Sequence, residues 1–294
     1  MSKISQDDNQ LLRVTKAFCL KSISYYFLFF LIGSIIISSG WGNELSVPNR
    51  STDAITRQSF IKMAKNLSLK VREKFVLTEI LTGNMPAFLK KLSTIIIKKK
   101  LSDGQVHTAK IFVTKDYLSL GSNKDFLRIP VNFLTAKIIA QHFNAIIPTK
   151  KLVDDIYHSA TKKLRPRYLP PGPLMTTLSY YDKSNQMIQA DLGLLFPREL
   201  IGGHKKDIVL SNRLLNKPNR IAIYGWHRIS GRPIQPLSTI HISRYVDYSH
   251  GLRLISKKVL IDGEIWDARE AFSHPFFWPL FSDEGPISKI LFDY

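Results

Sequence analysis

An α+β fold, with a mixed, mostly antiparallel sheet and flanking helices, is what this sequence predicts. Three observations carry the prediction. Apolar and β-branched runs at 94–97 and 106–114 flank the turn signal Ser102-Asp103-Gly104, the pattern of a β-hairpin. Apolar residues recur at helical spacing over 54–81, 133–143 and 150–161. Strands and helices do not alternate in the regular βαβ manner of a parallel sheet.

The chain opens on a polar stretch carrying Lys3, Arg13, Lys16 and Lys21, followed by an uncharged, almost wholly apolar run at 23–37 and then Ser38-Ser39-Gly40. A cationic flank, an apolar run and small residues make residues 1–40 an export signal, cleaved near Trp41. Counted through Trp41 the run approaches the roughly 20 residues that span a bilayer, so a retained N-terminal anchor in the membrane through residues 23–41 is the alternative. A buried core helix is a third reading. Basic residues before the run keep that end cytoplasmic and send the rest outward. The expected location is therefore exported: periplasmic, extracellular or anchored in the inner membrane.

Residues 41–53 form a polar linker with Pro48, and a single α+β domain is expected over 54–294. Its first part is one or two amphipathic helices, apolar at Ile55, Phe60, Met63, Leu67, Val71, Phe75 and Leu81, and ended by Gly83-Asn84-Met85-Pro86. A packed helix with a wet basic face is preferred here to one lying on a membrane. After the hairpin come short strands at 117–120 and 126–130, then a helix over 133–143. Thr149 is placed to cap the next helix, which runs to about residue 161, and its adjacent Asp154 and Asp155 read as surface. The proline-rich stretch 165–173 is extended and is the one candidate internal boundary. A helix over 177–195, strands over 207–211 and 220–226, a short strand at 259–262 and a short helix at 266–272 complete the chain. Phe276, Phe277, Trp278 and Phe281 are expected to clamp the core.

Composition narrows the function classes. Hydrophobic residues at 44% and aromatics at 11% describe a folded chain, and 42 Lys+Arg against 23 Asp+Glu leave a formal charge of +19. Such a field favours an acidic partner: an anionic cell-envelope polymer, a lipid headgroup or nucleic acid, the last disfavoured by export. Cys19 is the one cysteine, which excludes an intrachain disulfide framework, a Cys-rich zinc site and a thiol nucleophile downstream.

The chemistry-bearing types concentrate in 220–253, where buried imidazoles, hydroxyls and carboxylates would each need partners. His227, His241, Asp247, Ser249 and His250 are the candidate catalytic residues, and they are expected to converge. His241, Asp247 and His250 could ligate zinc, which takes nitrogen and oxygen donors and keeps a position open for water. Alternatively Ser249 is a nucleophile with His227 or His241 as base and Asp247 or Asp207 orienting it. His204, Lys205, Asp207, Trp226 and Arg253 are the candidate substrate-binding residues. Gly202-Gly203 before His204 would let backbone approach a ligand, and a solvated basic turn is the alternative reading.

The phrases GHKKDIVLSNRL, IAIYGWH, GRPIQPLS and YVDYSHGLRLI, with YLSLGSNKDFLRIP and IIPTKKLVDDIY upstream, resemble a family of exported bacterial proteins to which no activity is attached. Residues 246–249 are also faintly similar to the nucleophile motif of NlpC/P60 cell-wall peptidases. Those enzymes carry Cys where this chain has Tyr248, so the resemblance implies no thiol chemistry. Two functions follow as expectations: an exported hydrolase acting on a cell-wall component through a His/Asp site, or a non-catalytic envelope protein. In the second, a basic, aromatic-lined pocket with Arg228, Arg232, Arg244 and Arg253 binds an anionic polymer.

Overall fold

Side-chain caps set where the helices start. A computed structural model describes residues 43–293. Its helices are α1 (Arg57–Ala64), α2 (Leu69–Leu81), α3 (Phe133–His142), α4 (Lys150–Ser159), α5 (Leu178–Leu192) and α6 (Ala268–Ser273). Thr56, Ser68, Asn132, Thr149, Thr177 and Asp267 each accept a hydrogen bond from a first-turn N–H, satisfying one of the donors that a helix start leaves orphaned. The expected Thr149 cap is among them. The last helix begins at Ala268 and not at 266, because Asp267 caps it and Trp266 lies in a strand.

The strands are β1 (Leu92–Lys100), β2 (Val106–Thr114), β3 (Ser119–Gly121), β4 (Phe126–Arg128), β5 (Ala145–Ile146), β6 (Lys162–Lys163) and β7 (Ile201–Gly202). They continue as β8 (Lys206–Val209), β9 (Ala222–His227), β10 (Pro233–Ser238), β11 (His250–Gly251), β12 (Ile255–Ser256), β13 (Lys258–Ile261) and β14 (Glu264–Asp267). The expected hairpin is β1–β2, antiparallel from Leu92↔Thr114 to Lys100↔Val106. Around β2 the larger sheet runs β14-β13-β2-β12-β5, with β1 on the other edge of β2. The result is the α+β class read from the sequence, with antiparallel pairing dominant.

A second sheet, ordered β10-β9-β8-β11, carries the chemistry. β8 and β9 pair antiparallel, as the short connection between them requires, whereas β11 pairs parallel to β8 through His250↔Lys206 and Gly251↔Asp207. The strand β10 is one that the sequence reading did not include. Pro233 and Pro236 hid this strand, and they are tolerated because β10 is an edge, where a missing N–H breaks no ladder.

The main core runs from Leu45 to Phe292 and includes Leu169 of the proline-rich stretch. That stretch is tied down: the Leu169 N–H donates to Tyr248 Oη at 2.8 Å, and the Tyr248 hydroxyl donates to Leu169 O at 3.3 Å. Phe281 is buried against Phe272 with ring centroids 4.7 Å apart, part of the expected aromatic clamp. No helix among the described residues is long and apolar enough to cross a membrane. The export signal or anchor expected at 1–40 lies outside the described residues.

Candidate functional site

A tight turn entering β11 builds the site. The Asp247 carboxylate folds this turn by accepting from the Ser249 N–H at 2.7 Å and the Ser249 hydroxyl at 2.6 Å, both at Oδ1. Its other oxygen accepts from the Tyr245 hydroxyl at 3.0 Å. The His250 N–H closes the turn on Asp247 O at 3.1 Å. β11 then places the His250 ring beside Lys206 of β8.

His250 is 1% exposed, and neither ring nitrogen has a hydrogen-bond partner. Its Nε2 lies 3.8 Å from Asp247 Oδ2, too far for a direct bond. His241 and Tyr245, both half-buried, stack at 4.3 Å and cover it, with ring centroids 6.2 and 5.7 Å from that of His250. Burial pushes the His250 imidazole down to about 4, helped by the charges of Lys206, His241 and Lys205 and opposed by Asp247. At neutral pH the ring is therefore uncharged, with one nitrogen a donor and the other an acceptor.

Beneath the turn lies a layer of buried charge. Lys205 Nζ donates to Tyr248 O and, at 3.2 Å, to Ser184 Oγ; burial, with Arg128 nearby, pushes its ammonium down to about 7. Tyr117 donates to Asp207 Oδ2 at 2.8 Å while Arg253 stacks 4.3 Å over the Tyr117 ring. Burial pushes the Asp207 carboxyl up to about 6, against the pull of Arg253 and Tyr117. Next to them, Asp116 Oδ2 lies 2.8 Å from both Nε and Nη2 of Arg128, and Oδ1 accepts from the Tyr117 N–H at 2.7 Å and His204 Nε2 at 3.0 Å. Burial alone would raise the Asp116 carboxyl, but Arg128 and His204 overcome it and hold it well below the usual range.

Gly251 allows this layer to touch the strand. A Cβ there would sit 2.5 Å from Cδ1 of the Tyr117 ring, so the ring would have to leave Asp207. Gly251→Ala is expected to cost about 1–3 kcal/mol by overpacking. An unchanged urea midpoint would show that the ring can move freely.

His227 belongs to a different pair. Its Nε2 lies 2.8 Å from Asp154 Oδ1, its ring stacks on Tyr157 at 4.5 Å, and the Tyr224 hydroxyl donates to the same carboxylate at 2.9 Å. This corrects the reading of Asp154 as surface: α4 turns it, half-buried, onto the end of β9. Asp155 instead pairs with Lys151 at 2.7 Å. The convergence expected of five residues thus holds for His241, Asp247, Ser249 and His250, and His227 is held apart by Asp154.

Two further expectations find no support in the geometry. His241, Asp247 and His250 do not form a zinc ligand set: both Asp247 oxygens are occupied by Ser249 and Tyr245, and among the described residues no three His, Cys, Asp or Glu side chains are arranged to hold a metal ion. Ser249 is not paired with a histidine, because its hydroxyl is spent on Asp247. Of the expected substrate-binding residues, His204, Lys205, Asp207 and Arg253 are buried support, 2% exposed or less. Trp226 is buried as well, at φ +55°, donating to His204 O at 3.2 Å with Lys206 5.0 Å over its ring. Sequence reasoning missed Asp116, Arg128, Tyr117 and Tyr245. Only Tyr245 carried a local signal, lying two residues before Asp247.

Fold and site together define an α+β protein with a buried, unpaired histidine over a charged foundation. Comparison with family models, curated proteins and solved structures finds no match to this chain.

Proposed function

We propose that the chain is an exported envelope protein with an acid–base hydrolytic site, in which His250 takes a proton from water and the Asp247 carboxylate, 3.8 Å away, favours the imidazolium that forms. The substrate class is an amide or ester of an anionic cell-wall component. The observation that carries this reading is the orphaned His250 ring. A fully buried imidazole with both nitrogens unbonded is costly unless a ligand supplies the partners. Being neutral, it can act as base at physiological pH. Water would add to the carbonyl carbon as its proton passes to His250, and that proton would return to the leaving nitrogen or oxygen as the scissile bond breaks. No nucleophilic serine and no metal is required.

Binding without catalysis is the second reading, favoured by the exposed Arg228, Arg232 and Arg244 and by the lack of a nucleophile paired with His250. One assay separates the two. The full chain is incubated with purified cell-wall sacculi, and both bound protein and released fragments are measured. Fragment release that falls about 10²- to 10⁴-fold in His250→Gln, and persists in His227→Gln, is expected. The rate should also fall as pH drops through about 4, where protonation removes the base. Binding without release would leave the second reading standing and end the first.

A further inference from the structure

The structure points to a second ligand site: we propose that the groove between α2, α3 and residues 242–246 binds a single-chain anionic amphiphile. Its acyl chain would lie along the groove and its head group against Lys74 and Arg244. This goes beyond the hydrolytic reading and does not depend on it.

Four large exposed apolar side chains, three from helices and Ile242 from the loop after β10, meet in this one place. Leu69 is 45% exposed, Leu134 37%, Ile138 44% and Ile242 54%, and all line a groove of about 490 Å³. Scattered singly they would need no explanation, but gathered in a concavity they mark a binding surface. That volume falls within the roughly 300–1,000 Å³ of small-ligand sites. A protein partner would call for a broader face, about 800 Å² on each side.

Charge decides the head group. Lys70, Lys74 and Arg244 line the groove, and Lys74 and Arg244 have no ion-pair partner among the described residues. The one acid in the lining, Glu73, is turned inward, where both its oxygens accept from the Asn132 N–H at 3.3 Å. Burial pushes its carboxyl up, against Thr135, Asn132 and Arg72. The groove thus offers an apolar floor, a cationic edge and an inward-turned carboxyl, which complements a carboxylate or phosphate on an aliphatic chain and rejects a cationic one. Tyr245 lines this groove and also bonds Asp247, so the two sites are contiguous.

The test uses the full chain in nanodiscs of zwitterionic lipid, with hexadecanoic acid carrying a terminal diazirine as photoprobe and mass spectrometry to locate the label. Labelling is expected on peptides containing Leu69, Leu134 or Ile138, and to be competed by hexadecanoate but not by hexadecyltrimethylammonium. Lys74→Glu with Arg244→Glu should lower it about tenfold. Ile138→Glu, at an exposed position that leaves the fold intact, should abolish it, and Lys62→Glu should leave it unchanged. His250→Gln should label like the parent, which keeps this result separate from the fate of the hydrolytic site. Equal competition by the cationic chain would overturn the proposal. So would label confined to residues 23–41, or a cross-linked dimer through the groove.

Discussion

Replacing Arg128 with methionine is expected to cost about 3–5 kcal/mol, a large share of the roughly 5–15 kcal/mol that holds a domain folded. The guanidinium is 1% exposed and sits on Asp116, which is not exposed at all. Arg128 also donates from Nη1 to Asn185 Oδ1 at 3.1 Å and Gln189 Oε1 at 3.2 Å, and stacks 5.0 Å over Phe126. It thereby joins β4, α5 and the segment before β3. Methionine matches the volume and the stem but leaves Asp116 as a buried anion facing His204 and one backbone N–H. Water cannot reach it, so the desolvation cost is unrelieved. Asp116→Asn in the same chain should recover part of the loss, because both charges are then gone. Urea denaturation of the two variants measures this. A single-variant cost below about 1 kcal/mol would show that the pair contributes little.

Stability is expected to fall by a few kcal/mol, in order of magnitude, between pH 6.5 and 4, most of it before the surface carboxylates, near 4, begin to titrate. Burial pushes both His204 and His250 down from 6.5 to about 4. Between those values the unfolded chain binds two protons that the folded one refuses, so the stabilisation is complete above 6.5 and is lost as pH falls toward 4. Asp207 works the other way. Pushed up from 3.8 to about 6, its folded carboxyl keeps a proton that the unfolded one releases, which adds stability as pH drops through 6. Two groups outweigh one, so the net change is loss. Lys205, at about 7 in the folded state, is protonated in both states below that pH and is silent in this window. His250→Gln should flatten the profile of urea midpoint against pH. A parent protein whose midpoint is constant or rising from pH 7 to 5 would contradict the burial argument.

How much of this was legible in the chain depends on the range of each signal. The hairpin β1–β2, most of the helices and the Thr149 cap were readable because periodicity, turn residues and cap residues act within a few positions of one another. The Thr149 cap and the Ser102-Asp103-Gly104 turn are local in this sense. The Asp247–Ser249 contact is local too, made within three residues, but nothing in the sequence marked it as a turn. The edge strand β10 was not legible, because its prolines are forbidden in a central strand and harmless at an edge, and only the sheet decides which it is.

The amino-acid sequence by itself determined the α+β class, the capped helices and the gathering of histidine, serine and aspartate at 241–250. Tertiary structure alone decided which of those groups are partnered. Asp116 meets His204 across 88 positions, and Asp154 meets His227 across 73, so neither pairing leaves a trace in local pattern. The parallel register of β11 on β8 sets His250 beside Lys206. Burial then strips the ring of water without giving it a protein partner. The physical reason is that a polar side chain's state depends on solvent access and on atoms within about 4 Å, and folding sets both through contacts between distant segments.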